Sequence, residues 1–353
     1  MGTESIEASF LSIFALISFF IFLIVSKYSH KIRGGTLLDK DFSKPQAFHE
    51  IPVTRSGGIA VIISLSVFFY IYYLLYDEVL YNYIFISYSV FIVGFLDDLR
   101  ISIQPLSRLI IMILLLFIFI YVLQIKILNI DIPFLSYLMS NYLFSSIFVL
   151  LCFLFVINGA NLIDGFNGLL TINLIIINIV LTYININNEN LEFSILLISQ
   201  IIILLSFLLF NFPSAKIFLG DSGAYTMGAL TGLNTIITNN LNPEISSFFF
   251  CTLLFYLFFD VFFSFLRKLT QKKSPIYPDD KHLHMLSFYK ISRIYGKNKG
   301  NYLNSIIINF FYLILIIPGL YLAEDPDLSR YWFFIILLFY LIIYSRLYRL
   351  TKN

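Results

Sequence analysis

The segment Asn158-Gly-Ala-Asn-Leu-Ile-Asp-Gly-Phe-Asn-Gly-Leu169 crowds three asparagines, one aspartate and three glycines between two uncharged apolar runs. Asparagine amides both donate and accept, and glycines permit unusual backbone angles and close approach of a ligand. An ionisable residue beside hydrocarbon is expensive unless it is used, and irregular backbone is tolerated there only inside protein or along a wet cavity. Asn158, Asn161, Asp164 and Asn167 are therefore candidates for an active site. Taken alone, the segment suits a polar connector between two helices equally well.

Other clusters have chemistry of the same kind. Gly94-Phe-Leu-Asp97-Asp98-Leu-Arg100 ends an apolar run with two adjacent carboxylates, which repel unless a cation or proton offsets them. They make either a metal or proton-transfer site, or a solvated helix end with Arg100 as partner. Asn211-Phe-Pro-Ser-Ala-Lys-Ile-Phe218-Leu-Gly220-Asp221-Ser-Gly puts Asp221 between glycines at the start of a span. Helix amides there can support a phosphate or its metal, although an N-cap aspartate is the plainer reading. Lys44, His49 and Arg55 stand beside Gly57-Gly58 as candidate phosphate contacts.

The last cluster, Asp279-Asp280-Lys-His282-Leu-His284, lies in a basic loop. Histidines at i and i+2 do not share a helix face, so a helical zinc motif is not implied. Paired with the other loops, His282 and His284 are candidates to bind a pyrophosphate or a lipid phosphate. Asp260, inside an apolar run, is expected to pair with Arg267 or Lys268 near the membrane interface.

The elements that hold these clusters follow from composition. With 59% hydrophobic, 18% aromatic and 12% charged residues among 353, the chain is a polytopic membrane protein of all-α class. A net charge of +2 gives no reason to expect nucleic acid as partner. Cys152 and Cys251 sit in apolar runs, so neither a disulfide nor a zinc set is indicated. Eleven apolar runs are expected to span the bilayer, or ten because the third and fifth are short: 8–26, 57–76, 80–95, 107–124, 143–157, 169–184, 193–210, 224–238, 246–266, 302–322 and 331–348. Lysines and arginines concentrate in the loops after the first and ninth runs, which by the positive-inside rule face the cytoplasm. The N-terminus is then outside, the C-terminus cytoplasmic, and the candidate clusters lie on the cytoplasmic face. The expectation is one membrane domain over 1–353, with motifs in cytoplasmic loops near 27–56, 96–106, 158–168, 211–223 and 267–301.

Four blocks, in this order, resemble the polyprenyl-phosphate N-acetylhexosamine-1-phosphate transferases, the WecA/MraY-like family of integral membrane enzymes. They are Gly94-Phe-Leu-Asp97-Asp98, the Asn158 to Leu169 segment, the Asn211 to Gly223 segment, and His282-Leu-His284. The first loop, with Pro45, His49, Pro52, Arg55 and Gly57-Gly58, is also similar to the family's opening segment. The resemblance covers roughly the first 290 residues.

It implies transfer of a sugar-1-phosphate from a UDP-N-acetylhexosamine to undecaprenyl phosphate, with UMP released and Mg²⁺ required, Mn²⁺ being the natural substitute. The setting would be a bacterial inner membrane, and the product would begin a surface glycan such as O-antigen, capsule or teichoic acid; a homodimer is compatible with it. By the resemblance, Asp221 holds Mg²⁺, Asp97 and Asp98 help to hold the metal or activate the lipid phosphate, and Asp164 shares the catalytic role. Asn158, Asn161, Asn167 and Asn211 position the nucleotide-sugar, Phe218 stacks on uracil, and Arg55, His282 and His284 bind phosphate charge.

Two departures matter. Many members have aspartate where this chain has Asn167, and the last motif is shorter than the triple-histidine form of the peptidoglycan branch. The second argues against a phospho-N-acetylmuramoyl-pentapeptide substrate. A proton- or cation-coupled transporter would instead distribute its acids at mid-membrane and in related halves, and here they gather at one face.

Overall fold

Each of the eleven apolar runs is helical in the computed structural model of the chain, which describes residues 3–34, 36–39, 52–99, 101, 104–274 and 279–352. Hydrocarbon offers no partner for a peptide group, so a spanning segment must close its own hydrogen bonds. In chain order the helices are α1 (Thr3–Tyr28), α2 (Gly57–Tyr76), α3 (Tyr81–Asp98), α4 (Pro105–Val122), α5 (Pro133–Met139), α6 (Tyr142–Ile163), α7 (Leu169–Asn187), α8 (Leu191–Asn211), α9 (Gly220–Leu241), α10 (Ser247–Leu253), α11 (Phe255–Thr270), α12 (Leu283–Tyr295), α13 (Lys297–Tyr321) and α14 (Pro326–Lys352). Lys44, His49 and Arg100 lie outside the described residues.

Among the described residues, eight helices are long and apolar enough to cross a membrane, and α10 with α11 meets the same criteria only as a bent pair. The run 246–266, counted as one span from the sequence, bends by 77° after α10. The two remaining runs form α3 and α9, which are long enough but more polar. For α9 the reason is its position at the centre of the bundle, against α2, α3, α6 and α7, with almost every residue buried. It is shielded from lipid and needs small side chains more than apolar ones. A Cβ on Gly94 of α3 would stand 2.5 Å from the Ser222 backbone, and one on Gly228 would stand 2.8 Å from the Ala160 methyl. Glycine is what lets these axes approach so closely.

Buried amides hold α9 in register. Asn234 donates to Asn178 Oδ1 at 3.1 Å and to Gln200 Oε1 at 2.8 Å, while accepting from the Tyr83 hydroxyl at 2.9 Å. Asn185 reaches Thr238 Oγ1 at 2.9 Å one layer further along. Interhelical bonds of this kind contribute about 0.6 kcal/mol each. They also fix which faces meet.

At the end of the bundle that carries the acidic motifs, a short antiparallel pair, β1 (Leu38–Asp39) and β2 (Val53–Thr54), brings the first loop inward. Thr54 continues the pairing to Ile217, and the amides of Gly57 and Gly58 donate to the carbonyls of Phe218 and Leu219 at 2.9 and 2.8 Å. The glycine pair permits this close backbone approach. The first loop and the start of α9 become one surface.

Candidate active site

Three helix ends converge. Asp97 and Asp98 close α3, Asp164 follows α6, and Asp221 opens α9. Asp98 is buried, and its carboxylate accepts from the Asp221 amide at 2.9 Å, the Ser222 amide at 3.0 Å and the Ser222 hydroxyl at 2.6 Å. It therefore satisfies orphan donors at the N-terminus of α9. Gly220 must be glycine here, because its φ is +77° and an added Cβ would meet Asp98 Oδ2 at 2.7 Å. Asp98 has the capping role that the plainer reading gave to Asp221, which leaves the Asp221 side chain directed elsewhere.

Asp221 Oδ1 accepts from Asn161 Nδ2 at 2.8 Å, and its Oδ2 lies 3.0 Å from Arg108 Nη1. The same guanidinium nitrogen is 2.7 Å from Asp97 Oδ2. Asp97 and Asp221 are thus two part-exposed carboxylates bridged by one cation. The partner of Asp97 is Arg108, in the first turn of α4, and the sequence reading missed it. Its signal was available: Arg108 is the only charged residue in an otherwise apolar helix.

Asp164 lies among these groups. Burial pushes its carboxyl well above the usual carboxylate range, and the charge of Asp221 adds to the rise, against the opposing effects of Arg55 and the Gly220 amide. Arg55 is held by Asp39, whose Oδ2 accepts from Nε at 3.0 Å and Nη2 at 2.7 Å. Burial alone would lower the Arg55 pKa, but the charges of Asp221, Asp39 and Asp98 outweigh it and raise it. Two arginines therefore face five acids, Asp39, Asp97, Asp98, Asp164 and Asp221.

The remaining candidates divide by their partners. Asn158 to Ile163 continue α6, so the irregular part of the expected loop shrinks to Asp164–Gly168, and Asn158 is turned back to the Leu154 carbonyl at 2.7 Å. Asn211 is a strut: it accepts from the Gly168 amide at 2.7 Å and donates to the Ile217 carbonyl at 3.0 Å. Asn167 donates to the Pro213 carbonyl at 2.8 Å, while its own amide donates to Asn301 Oδ1 at 2.8 Å. Phe218 is part-buried, with its amide donating to the Thr54 carbonyl at 2.8 Å. These contacts shape the Asp164 loop and the segment that precedes Asp221.

The histidines differ from expectation. His282 is buried with both ring nitrogens facing carboxylates, Nδ1 at 2.8 Å from Asp260 Oδ2 and Nε2 at 3.3 Å from Asp279 Oδ1. His284 is fully buried, and burial pushes its imidazole down to about 3, the opposing charge of Asp260 notwithstanding. A neutral, buried ring presents no charge to a phosphate. Asp260 does not pair with Arg267 or Lys268 as expected; it binds His282, the Leu283 amide and the Tyr340 hydroxyl, and Arg267 goes to Asp279 at 2.8 Å.

Among the described residues no three His, Cys, Asp or Glu side chains form a ready metal cage. The Asp97 and Asp221 pair is nevertheless the donor set Mg²⁺ uses when substrate phosphates complete its shell. Asp98 is committed to the α9 amides and is less suited to that part.

Residues 80–239, which include Asp97, Asp98, Asp164 and Asp221, match the profile of Glycosyl transferase family 4. Over these residues the chain is similar to that family. Relatives similar to this chain include an undecaprenyl-phosphate alpha-N-acetylglucosaminyl 1-phosphate transferase of Thermotoga maritima, 26% identical over 281 residues, covering 79% of this chain and 81% of the relative. A phospho-N-acetylmuramoyl-pentapeptide-transferase of Streptococcus sanguinis is 28% identical over 237 residues, with 62% and 68% covered. One of Orientia tsutsugamushi is 30% identical over 217 residues, with 52% of this chain and 59% of the relative covered. The chain spans less than two thirds of that last protein.

Proposed function

We propose that this chain is a member of that family and transfers an N-acetylhexosamine-1-phosphate from its UDP derivative to undecaprenyl phosphate, at the cytoplasmic face of a bacterial plasma membrane, with Mg²⁺ as cofactor. The observation that carries this reading is the convergence of Asp97, Asp98, Asp164 and Asp221 with Arg55 and Arg108 at one end of an apolar bundle. A polar nucleotide and a lipid-anchored phosphate meet only at such an edge. Both are anions. Bringing them together requires fixed cations and in-line positioning more than covalent chemistry.

In the reaction, an oxygen of the lipid phosphate attacks the phosphorus attached to the sugar. A new pyrophosphate bond forms as the bond to the uridylyl phosphate breaks, and UMP leaves with the electron pair. Asp221 and Asp97 would hold Mg²⁺, which supplies charge stabilisation on the phosphate oxygens. Arg55 and Arg108 offset the negative charge that both substrates bring. Asn161 fixes the rotamer of Asp221, and Asp98 fixes the start of the helix from which Asp221 projects. Asp164 contributes a carboxyl that, through burial and the charge of Asp221, holds its proton more firmly than an ordinary carboxylate.

An N-acetylated hexosamine is favoured over a pentapeptide-bearing sugar by the short His282-Leu-His284 motif and by the long match to the Thermotoga protein. Such a product would begin a surface glycan. The test uses membranes containing the chain, radiolabelled UDP-N-acetylglucosamine, undecaprenyl phosphate and Mg²⁺. Wild-type chain should yield labelled lipid, and Asp221→Ala, although inserted, should yield none. Wild-type-like transfer by Asp221→Ala would remove the metal assignment.

A further inference from the structure

Asp260 is a carboxylate with almost no exposure, set on α11 in an apolar cluster that includes Phe255, Phe259 and Ile336. A buried charge in such surroundings must be met by donors. Its donors come from separate elements. Tyr340 of α14 and the Leu283 amide at the start of α12 donate to Oδ1, and His282 Nδ1 stands 2.8 Å from Oδ2. The segment is fixed on its other side as well. His282 Nε2 faces Asp279, whose carboxylate binds Arg267, and the Lys281 carbonyl accepts from the Tyr344 hydroxyl at 3.0 Å.

This segment leads to the acid cluster. His284 packs edge-on against Phe166 with centroids 5.7 Å apart, and Phe288 lies 5.1 Å from the same ring. Phe166 is buried in the Asp164–Gly168 turn, two residues from Asp164. Asn301 of α13 braces the same turn through the Asn167 amide. The helix α14 is thus joined to Asp164 through Tyr340, Asp260, His282, His284 and Phe166.

We propose that Asp260 and Tyr340 are positioning residues: together they lock the His282-Leu-His284 segment so that Phe166 holds the Asp164 turn in its reactive place. Asp260 touches no substrate and transfers no proton in this role. The aromatic ring of Tyr340, packed edge-to-face with Phe255, Phe259 and Phe263, is retained in Tyr340→Phe, so that variant removes the hydroxyl while keeping the packing.

The inference rests on the proposed transfer reaction only for its activity readout, so two measurements are paired. Hydrogen exchange of the detergent-purified full chain should show amides 165–169 and 283–286 exchanging at least about fivefold faster in Asp260→Asn and Tyr340→Phe, with the centre of α9 unchanged. In the transfer assay both variants should lose roughly tenfold in kcat. The double variant should be no worse than Asp260→Asn alone, because both act through one link. Wild-type exchange at 165–169 in both variants would overturn the proposal, and so would a uniform acceleration across every helix, which marks a merely structural role. Faster exchange at the turn in a chain whose wild type transfers no sugar phosphate would refute the reaction and leave the positioning link standing.

Discussion

Asp98 grips Ser222 twice: one carboxylate oxygen, Oδ2, accepts both the Ser222 hydroxyl at 2.6 Å and the Ser222 amide at 3.0 Å. Three hydrogen bonds to one buried carboxylate, the third from the Asp221 amide, make α3 the cap of α9. Asp98→Ala should therefore act through geometry. Loss of a cap of this type costs about 0.5–2 kcal/mol, and a displacement of Asp221 by about 1 Å costs about a hundredfold in rate. Turnover by lipid-product assay should fall by that order while the chain still inserts. Unchanged turnover would separate the cap from the chemistry.

Gly94 stands one turn before Asp98 and makes that grip possible. A methyl group there would lie 2.5 Å from the Ser222 amide nitrogen and Cα, backbone atoms that cannot rotate aside. Gly94→Ala should destabilise the detergent-solubilised chain by about 1–3 kcal/mol. It should also lower transfer, since α3 and α9 must part. A melting curve and turnover equal to wild type would show that the two helices have slack.

The Arg108 guanidinium bridges Asp97 and Asp221 at 2.7 and 3.0 Å. Its removal leaves two carboxylates without their shared counter-charge. Arg108→Gln should accordingly bind Mn²⁺ several times more tightly, read by electron paramagnetic resonance, while transfer falls because a cation that offsets substrate charge has been lost. Weaker Mn²⁺ binding in Arg108→Gln would place the ion elsewhere.

Asp164 has its carboxyl raised by burial and by Asp221. Its folded form holds a proton more firmly than its unfolded form, so the contribution to stability is present in acid and is lost as pH rises through the folded pKa. Asp164→Asn removes that cost. Its melting temperature should exceed wild type by a few degrees at alkaline pH, with the gain vanishing below the ordinary carboxylate range, and transfer should be lost. A stability gain independent of pH, or none, would contradict the assignment of a strained acid at this site.

Much of the layout was legible because each of its causes is local. Uncharged apolar runs must be helical in lipid, and acids beside glycines at their ends mark where chemistry can sit; Asp97, Asp98, Asp164 and Asp221 were found in this way and do come together. What escaped notice depends on packing between distant segments. Nothing near Asp98 in the chain says that it will cap a helix 123 residues away. The same is true of Asp260, whose neighbours Arg267 and Lys268 suggested a surface pair, whereas the fold delivers His282 and Tyr340 to it. His284 looked like a phosphate contact until its burial and its packing on Phe166 gave it a supporting part. Arg108 was visible but unread, since a lone cation at a helix start has a ready explanation in topology.

The central claim is that the four acids serve transfer of a sugar phosphate, as distinct from a bare sugar. Purified chain in nanodiscs containing undecaprenyl phosphate, supplied with Mg²⁺ and a set of UDP-N-acetylhexosamines, separates the two by mass spectrometry of both products. The account predicts a lipid diphosphate carrying one hexosamine together with an equal amount of UMP, both absent in Asp221→Ala. Release of UDP with a lipid monophosphate sugar, or no lipid product from any donor, would contradict it.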